Sequence, residues 1–151
     1  MIKIICIGKL KENYLKEALL EYQKRIKKYD KLEIIELPDS KKDISNLALE
    51  EEKEIILKHI QTKEYIITLE IEGKNLSSLE FSNKLQNIYQ NNSIITFIIG
   101  GSHGIHDEIK NISNYSLSFS KMTFPHQLFR ILLLEQIYRV YKINNNESYH
   151  K

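Results

Sequence analysis

The chain has 151 residues, of which 42% are hydrophobic and 28% are charged, and its formal net charge at pH 7 is +2. This length and composition predict one soluble domain, residues 1–151, with a sizeable buried core. No apolar stretch approaches the roughly 18 residues of a membrane-spanning helix, and the opening residues lack the pattern of a secretory signal peptide. The small net charge excludes a uniformly basic protein that coats nucleic acid.

The charge is unevenly distributed along the chain, and there is a single cysteine. Lys24, Arg25, Lys27, Lys28 and Lys31 form a basic cluster, and residues 50–54 are mostly acidic. Such clusters are commonly solvated helix ends, but a basic cluster on a compact dimer can also contact phosphates. Cys6 is the only cysteine and follows a run of isoleucines, so we expect an inert core thiol in a reducing, cytoplasmic setting.

Strand-like and helix-like segments alternate along the chain. The β-branched run 2–7 predicts a first strand, and the apolar spacing in 11–29 predicts a first helix. Asp43 is the expected cap of the second helix, and Ser77 or Ser78 that of the third. The later predicted elements are strand 32–37, helix 44–59, strand 65–71, helix 79–89, strand 94–99, helix 107–112, strand 115–119 and helix 127–143. Continuous apolar strands separated by helices indicate a parallel α/β sheet covered on both faces.

Three predicted strand ends carry chemistry that suits a ligand, because ligands of open α/β sheets bind beyond the carboxyl ends of the strands. They are residues 69–74, 100–104 and 120–126. Gly100 and Gly101 let a backbone approach a ligand closely, although a tight turn explains them equally well. The glycines match neither a P-loop nor a Rossmann fingerprint. We predict no metal site, since His103, His106 and Asp107 lack a known zinc spacing and suit a loop histidine and a capping aspartate.

The last two segments leave alternatives open. Residues 118–126 combine hydroxyls with Met122 and Phe124, which suits either an adenine ring or an ordinary surface loop. The final helix is apolar nearly all round between residues 128 and 141, so it needs either a second subunit or extra cover within the monomer. Glu135 and Arg139 have the i,i+4 spacing of an ion pair.

Taken in order, several motifs resemble the RlmH family, methyltransferases that modify N(3) of a pseudouridine in large-subunit (23S) ribosomal RNA. The motifs span nearly the whole chain, and their order and spacing are highly specific. They comprise Gly8 after the first strand, TLEIEGK at 68–74, FIIGGSHG at 97–104, SLS at 116–118, MTFPH at 122–126, Arg130, LEQIYR at 134–139 and YHK at 149–151. The chain departs from the family at 144–148, which lacks the usual His and Pro, and at Phe119 and Lys121.

The resemblance implies a SPOUT fold: a parallel sheet with helices on both faces and a C-terminal trefoil knot, a rare feature among folds. It also implies a homodimer that binds S-adenosylmethionine in the knot, near the subunit interface, and acts on the ribosome. Gly101 is expected to admit the cofactor because a side chain there would occupy ligand volume. Carried over by position, the cofactor site comprises Leu69, Ile71, Gly100, Gly101, Ser120, Lys121, Met122, Thr123, Phe124, Pro125 and His126.

The resemblance further implies that Tyr149 and His150, on a polar tail expected to project from the final helix, meet the RNA. His150 is a candidate base, because histidine can accept a proton near neutral pH. Arg130 and Arg139 could orient phosphate or stabilise a deprotonated base. No base can be assigned from the sequence. A SPOUT methyltransferase with another RNA target and a non-catalytic ribosome- or RNA-binding protein of the same fold are the alternatives.

Overall fold

A computed structural model describes all 151 residues as five strands and five helices in strict alternation. In chain order they are β1 (Ile2–Ile7), α1 (Asn13–Ile26), β2 (Leu32–Leu37), α2 (Ser45–Leu57), β3 (Tyr65–Asn75), α3 (Ser78–Tyr89), β4 (Ile95–Ile99), α4 (Asp107–Ile112), β5 (Tyr115–Ser118) and α5 (His126–Asn144). All ten predicted elements are therefore present.

The five strands form one sheet in the order β2-β1-β4-β3-β5, and every neighbouring pair is parallel. β4 is central, with Phe97 opposite Ile4 of β1 and Ile67 of β3. All side chains of β1 and β4 are buried. Both faces of a parallel sheet are covered, which explains why these strands are mostly apolar. The two buried polar exceptions, Lys3 and Thr96, both bind Glu64.

Helices cover both faces of the sheet, as predicted. The larger core lies on the face where α1 and α3 flank α5, and alternate strand residues such as Ile4, Cys6 and Phe97 point into it. The smaller core lies under α2 and α4 and receives Ile5 and Ile98. Alternation along each strand thus divides the apolar side chains between the two faces.

α5 is covered within the monomer. Ile131, Leu133, Leu134, Ile137 and Val140 are buried, and α1 and α3 pack on the two sides of the helix. Among its large apolar residues only Leu128 is strongly exposed. The apolar circumference of this helix is therefore explained by its place between α1, α3 and the sheet, the second of the two alternatives.

The third strand is longer than predicted, and it contains a β-bulge. Leu69 and Lys74 both align with Leu117 of β5, so residues 70–73 bulge out of the ladder. Chain that leaves a ladder in this way directs its side chains away from the sheet. The prediction that the strand ends at Ile71 was therefore wrong, because the bulge resembles a strand end in sequence.

The helix caps follow the sequence in one case and not in another. Ser77 caps α3 in a complete capping box with Glu80, as expected. The prediction for α2 was wrong: Ile44 is its cap residue, and no side chain caps this end. Asp43 lies one residue too early to fill that role.

The C-terminal tail folds back on α5, which corrects the expectation that it projects. Glu147 forms an ion pair with Lys142 and accepts a 2.8 Å hydrogen bond from the Tyr29 hydroxyl. The Tyr149 hydroxyl donates to Glu135 at 2.9 Å, and its ring packs edge-on against Tyr138. These partners lie on α5 and in the turn after α1, so the polar composition of the tail could not indicate them.

Candidate functional site

A cleft of about 440 Å³ opens at the edge of the sheet where the strands end. We call it the strand-end cleft. It is built from the three segments that the sequence singled out: the β3 bulge, the loop between β4 and α4, and the loop between β5 and α5. Its volume falls within the roughly 300–1,000 Å³ of small-molecule sites.

Nine of the eleven residues that the resemblance assigns to the cofactor line this cleft: Leu69, Ile71, Gly100, Gly101, Ser120, Met122, Thr123, Phe124 and His126. Lys121 and Pro125 do not line it. Pro125 is the cap residue of α5, and Lys121 is exposed to solvent. The structure thus brings most of the assigned residues together, and their role in binding a cofactor stays a prediction.

The walls of the cleft combine apolar and polar groups. Ile71 is 49% exposed and Met122 is 74% exposed, and both lie in the cleft, so they leave apolar surface available to a ligand or a partner. Glu70 accepts a 2.6 Å hydrogen bond from the Thr68 hydroxyl and lies 3.5 Å from the Lys110 ammonium. Its negative charge is therefore largely engaged by the protein.

The two glycines at the end of β4 are required by the fold itself. A Cβ atom on Gly100 would lie 2.2 Å from the carbonyl oxygen of Gly104, inside a turn closed by a 3.1 Å bond from the Gly104 N–H to the Gly101 oxygen. A Cβ atom on Gly101 would meet Ile7 at 2.9 Å and Asp39 at 3.1 Å. A side chain here would therefore meet the protein itself, which gives this glycine a structural reason; Gly101 also lines the cleft, so clearance for a ligand stays a prediction.

Carboxylates that the sequence did not single out support this loop from beneath. Glu52 is 4% exposed and accepts a 3.2 Å hydrogen bond from the Ser40 N–H. Burial raises the pKa of the Glu52 carboxyl above the usual glutamate range, and the neighbouring Asp39 adds to the shift. Glu52 belongs to an acidic run on a helix, which in sequence resembles a solvated surface.

Arg130 is completely buried beneath the cleft, at the start of α5. Its guanidinium forms an ion pair with Glu36 and donates to the Gly8 oxygen at 2.9 Å. It therefore ties α5 to β2 and to the loop after β1. The suggestion that Arg130 orients phosphate was wrong, because no RNA can reach a side chain with no exposed surface. Burial raises the pKa of the neighbouring Cys6 thiol to about 12, which agrees with an inert cysteine.

The residues assigned to the RNA lie away from the strand-end cleft. Arg139 pairs with Glu135 at 2.6 Å, as its spacing predicted, and its guanidinium covers the ring of Tyr149 at 4.6 Å. His150 lies 3.4 Å from Arg139. At a rise of about 1.5 Å per residue, Arg139 lies roughly 20 Å along α5 from His126. Within one chain, the tail and the cleft therefore lie near opposite ends of α5.

The histidines near the cleft form no metal site. His106 caps α4 by accepting the Glu108 N–H at 3.1 Å, and Asp107 is the first residue of the helix. The expected cap was Asp107, so the capping assignment was wrong by one residue. His103 bonds to the Ser45 hydroxyl. No group of three or more His, Cys, Asp or Glu side chains is arranged to hold a metal ion, and none of the helices has the length and apolarity to cross a membrane.

Comparison with known families agrees with this architecture. A family model described as "Predicted SPOUT methyltransferase" matches residues 1–150. The chain is 49% identical to the ribosomal RNA large subunit methyltransferase H of Clostridium botulinum (strain 657 / Type Ba4), and the match covers 99% of both chains. It is 51% identical to a putative ribosomal RNA large subunit methyltransferase H of Methanococcus maripaludis (strain C5 / ATCC BAA-1333), with the same coverage.

One similar solved structure supports the fold alone. It is a probable methylase family protein from Haemophilus influenzae Rd KW20, with a TM-score of 0.58 and 15% sequence identity. The match covers 99% of this chain and 70% of that chain.

Proposed function

Because this chain belongs to the family of SPOUT methyltransferases named ribosomal RNA large subunit methyltransferase H, we propose that it methylates N(3) of a pseudouridine in large-subunit (23S) ribosomal RNA. The methyl donor is S-adenosylmethionine, and the substrate is the assembled ribosome in the cytoplasm. The observation that carries this proposal is 49% identity over 99% of both chains. The C-terminal trefoil knot implied by the family is part of the same proposal.

The strand-end cleft fits a ligand with an adenosine and an amino-acid end. Leu69, Ile71 and Met122 offer apolar surface for the faces of a purine, and the loop at Gly100 and Gly101 offers backbone polar groups for its edge. Ser120 and Thr123 add hydroxyls that can bond to ribose. When bound, S-adenosylmethionine supplies an electrophilic methyl group on a sulfonium sulfur.

The protein contributes to the reaction mainly by fixing the positions of the two reacting groups. Fixing the acceptor nitrogen in line with a methyl group can supply several kcal/mol of the barrier, so a rigid cleft matters more than acid catalysis. Residues of the β3 bulge and of the loop before α5 hold one side of this geometry. On the RNA side, Tyr149 can stack on a base, and Arg139 can stabilise a base that has lost its proton. His150 is the candidate acceptor of that proton.

A homodimer would bring the tail of one subunit close to the strand-end cleft of the other. Within one chain the tail is bound to Glu135 and Arg139, at roughly 14 and 20 Å along α5 from His126. If each cleft is completed by the tail of the partner subunit, neither tail has to leave its docking position. The exposed Leu128, at the start of α5, provides apolar surface for such an interface. Sedimentation at low micromolar concentration should give twice the 17.9 kDa chain mass, and a clean monomer would contradict the shared site.

Transfer of tritium from labelled S-adenosylmethionine to ribosomes tests the reaction. We expect label in large-subunit RNA, with much less incorporated into ribosomes that lack prior pseudouridine formation. Equal labelling of both would point to another RNA target. Binding to ribosomes without labelling, and without cofactor in the cleft, would point to a non-catalytic RNA-binding protein.

A further inference from the structure

The C-terminal end of α1 carries a group of unpaired positive charges. We call Lys24, Lys27, Lys28 and Lys31 the basic surface. All four side chains are exposed, and none forms an ion pair. Arg25, within the same segment, differs from them because it is bound to Glu21 at 2.7 Å. The basic surface is therefore a set of free cations and not one half of a surface salt-bridge network.

Three acidic groups close to the basic surface in sequence or space are already engaged by other cations. Glu21 is held by Arg25, Asp30 lies 3.1 Å from the N-terminal ammonium, and Glu147 is paired with Lys142. The exposed acidic residues Glu50, Glu51 and Glu54 lie on α2, on the opposite face of the sheet. The C-terminal end of α1 is thus a locally positive region in a chain of net charge +2, and such a region attracts polyanions.

The basic surface continues directly into the tail. The Arg25 guanidinium lies 5.6 Å from the ring centroids of both Tyr22 and Tyr138. The Tyr22 hydroxyl donates at 2.8 Å to Glu135, which also receives the hydroxyl of Tyr149. α1 and α5 both run opposite to the strands, so their C-terminal ends share the edge of the sheet where the strands begin. The lysines and the tail therefore face solvent at the same end of the subunit.

We propose that the basic surface binds phosphate groups of RNA that flank the target nucleotide, beside the tail of the same subunit. This rests on the proposed function and adds to it a second contact with the substrate. Lysine ammonium groups bind phosphate as point charges and contribute affinity and placement, whereas base identity is read elsewhere. Binding of RNA to these lysines is accordingly salt-dependent and independent of the pseudouridine.

A pair of charge-matched variants tests this surface. In the first, Lys24 in the last turn of α1 and Lys28 in the turn that follows the helix become Gln (K24Q/K28Q). In the control, Lys58 and Lys63 become Gln (K58Q/K63Q); both are exposed and unpaired, and they follow α2. Binding of the intact protein to ribosomes is measured between about 50 and 200 mM salt, together with calorimetric affinity for S-adenosylmethionine and the melting temperature.

We expect K24Q/K28Q to bind ribosomes about 5-fold or more weakly at low salt, with the slope of log affinity against log salt reduced by about 2, roughly one per phosphate contact. Cofactor affinity and melting temperature should match the control. Equal weakening of both double variants, or an unchanged salt slope in K24Q/K28Q, would overturn the proposal. Failure of the parent protein to methylate ribosomes would instead contradict the proposed function, because the binding comparison does not require turnover.

Discussion

The Tyr149 hydroxyl donates a 2.9 Å hydrogen bond to Oε2 of Glu135, the same carboxylate oxygen that accepts from Tyr22 at 2.8 Å. One glutamate of α5 therefore holds both the tail and α1. Arg139 binds the other oxygen of Glu135 and lies over the ring of Tyr149. The residues assigned to RNA contact are thus also part of the packing of the monomer.

Replacing Tyr149 with Phe removes this hydrogen bond and keeps the ring. We expect a loss of about 1 kcal/mol in the free energy of unfolding, because a hydrogen bond to a partly exposed carboxylate contributes about that much. Affinity for S-adenosylmethionine should not change, since the strand-end cleft lies elsewhere on α5. Methyl transfer to ribosomes should fall, because the ring that stacks on a base is no longer held in place by Glu135. A chain truncated after Glu147 should show the same pattern more strongly. Full transfer activity in the truncated protein would show that the tail is dispensable.

Replacing Gly101 with Ala should affect the fold before it affects the ligand. The added Cβ atom meets Ile7 at 2.9 Å and Asp39 at 3.1 Å, and overpacking of this kind typically costs about 1–3 kcal/mol. Thermal unfolding should therefore show a lower melting temperature, and calorimetry a weaker cofactor affinity. The neighbouring Ser102→Ala, at an exposed position, is the matched control for stability only, because Ser102 also lines the cleft. Normal stability combined with lost cofactor binding would support ligand clearance as the reason for the glycine.

Replacing Arg130 with Met should destabilise the protein by about 3 kcal/mol, because it removes one partner of a buried ion pair. This value is near the lower limit for such a change, since Glu36 keeps some contact with solvent. Urea unfolding measures this loss. The double variant R130M/E36Q should recover part of it, and R130K should lose less than R130M. A change below about 0.5 kcal/mol in R130M would mean that this ion pair does not hold α5.

Replacing Glu52 with Gln should stabilise the protein, and increasingly so at higher pH. The raised pKa of Glu52 means that the folded state binds its proton more tightly than the unfolded state. Stability of the parent chain therefore falls as pH rises from the usual glutamate range through the raised pKa, and the penalty is complete above it. The gap between the melting temperatures of E52Q and the parent should be larger at pH 8 than at pH 4.

The exposed Glu51, the preceding residue of the same helix, provides the control. An equal growth of the gap in E51Q and E52Q would mean that removing any negative charge from α2, and not the burial of Glu52, causes the effect. If E52Q melts below its parent at pH 8, the hydrogen bond from Ser40 outweighs the burial of the charge.

The sequence predicted the order and type of every element and the three segments that form the strand-end cleft. It could do so because apolar periodicity and strand ends are local properties of the chain. The capping box at Ser77 and the pair between Glu135 and Arg139 are local in the same sense, since their partners lie within one turn of helix.

Apart from the two helix caps and the end of β3, the features that sequence reasoning missed depend on partners far along the chain. Arg130 is buried because Glu36 and Gly8 enclose it, and the tail is held by Tyr29, Glu135 and Tyr138. Glu52 lies under the loop at Gly101 although it belongs to an acidic run. No pattern within a short window distinguishes these charged residues from solvated ones.

The strand order β2-β1-β4-β3-β5 also governs when the molecule can fold. The edge of β1 that faces β4 can pair only after residues 95–99 have been synthesised. The larger core is incomplete until α5 contributes Leu133, Leu134 and Ile137. Contacts this distant in sequence make folding slow and leave apolar surface exposed while the chain is being synthesised. Since His126 and Phe129 of this last helix also line the strand-end cleft, a nascent chain completes its ligand site and its main core in the same late event.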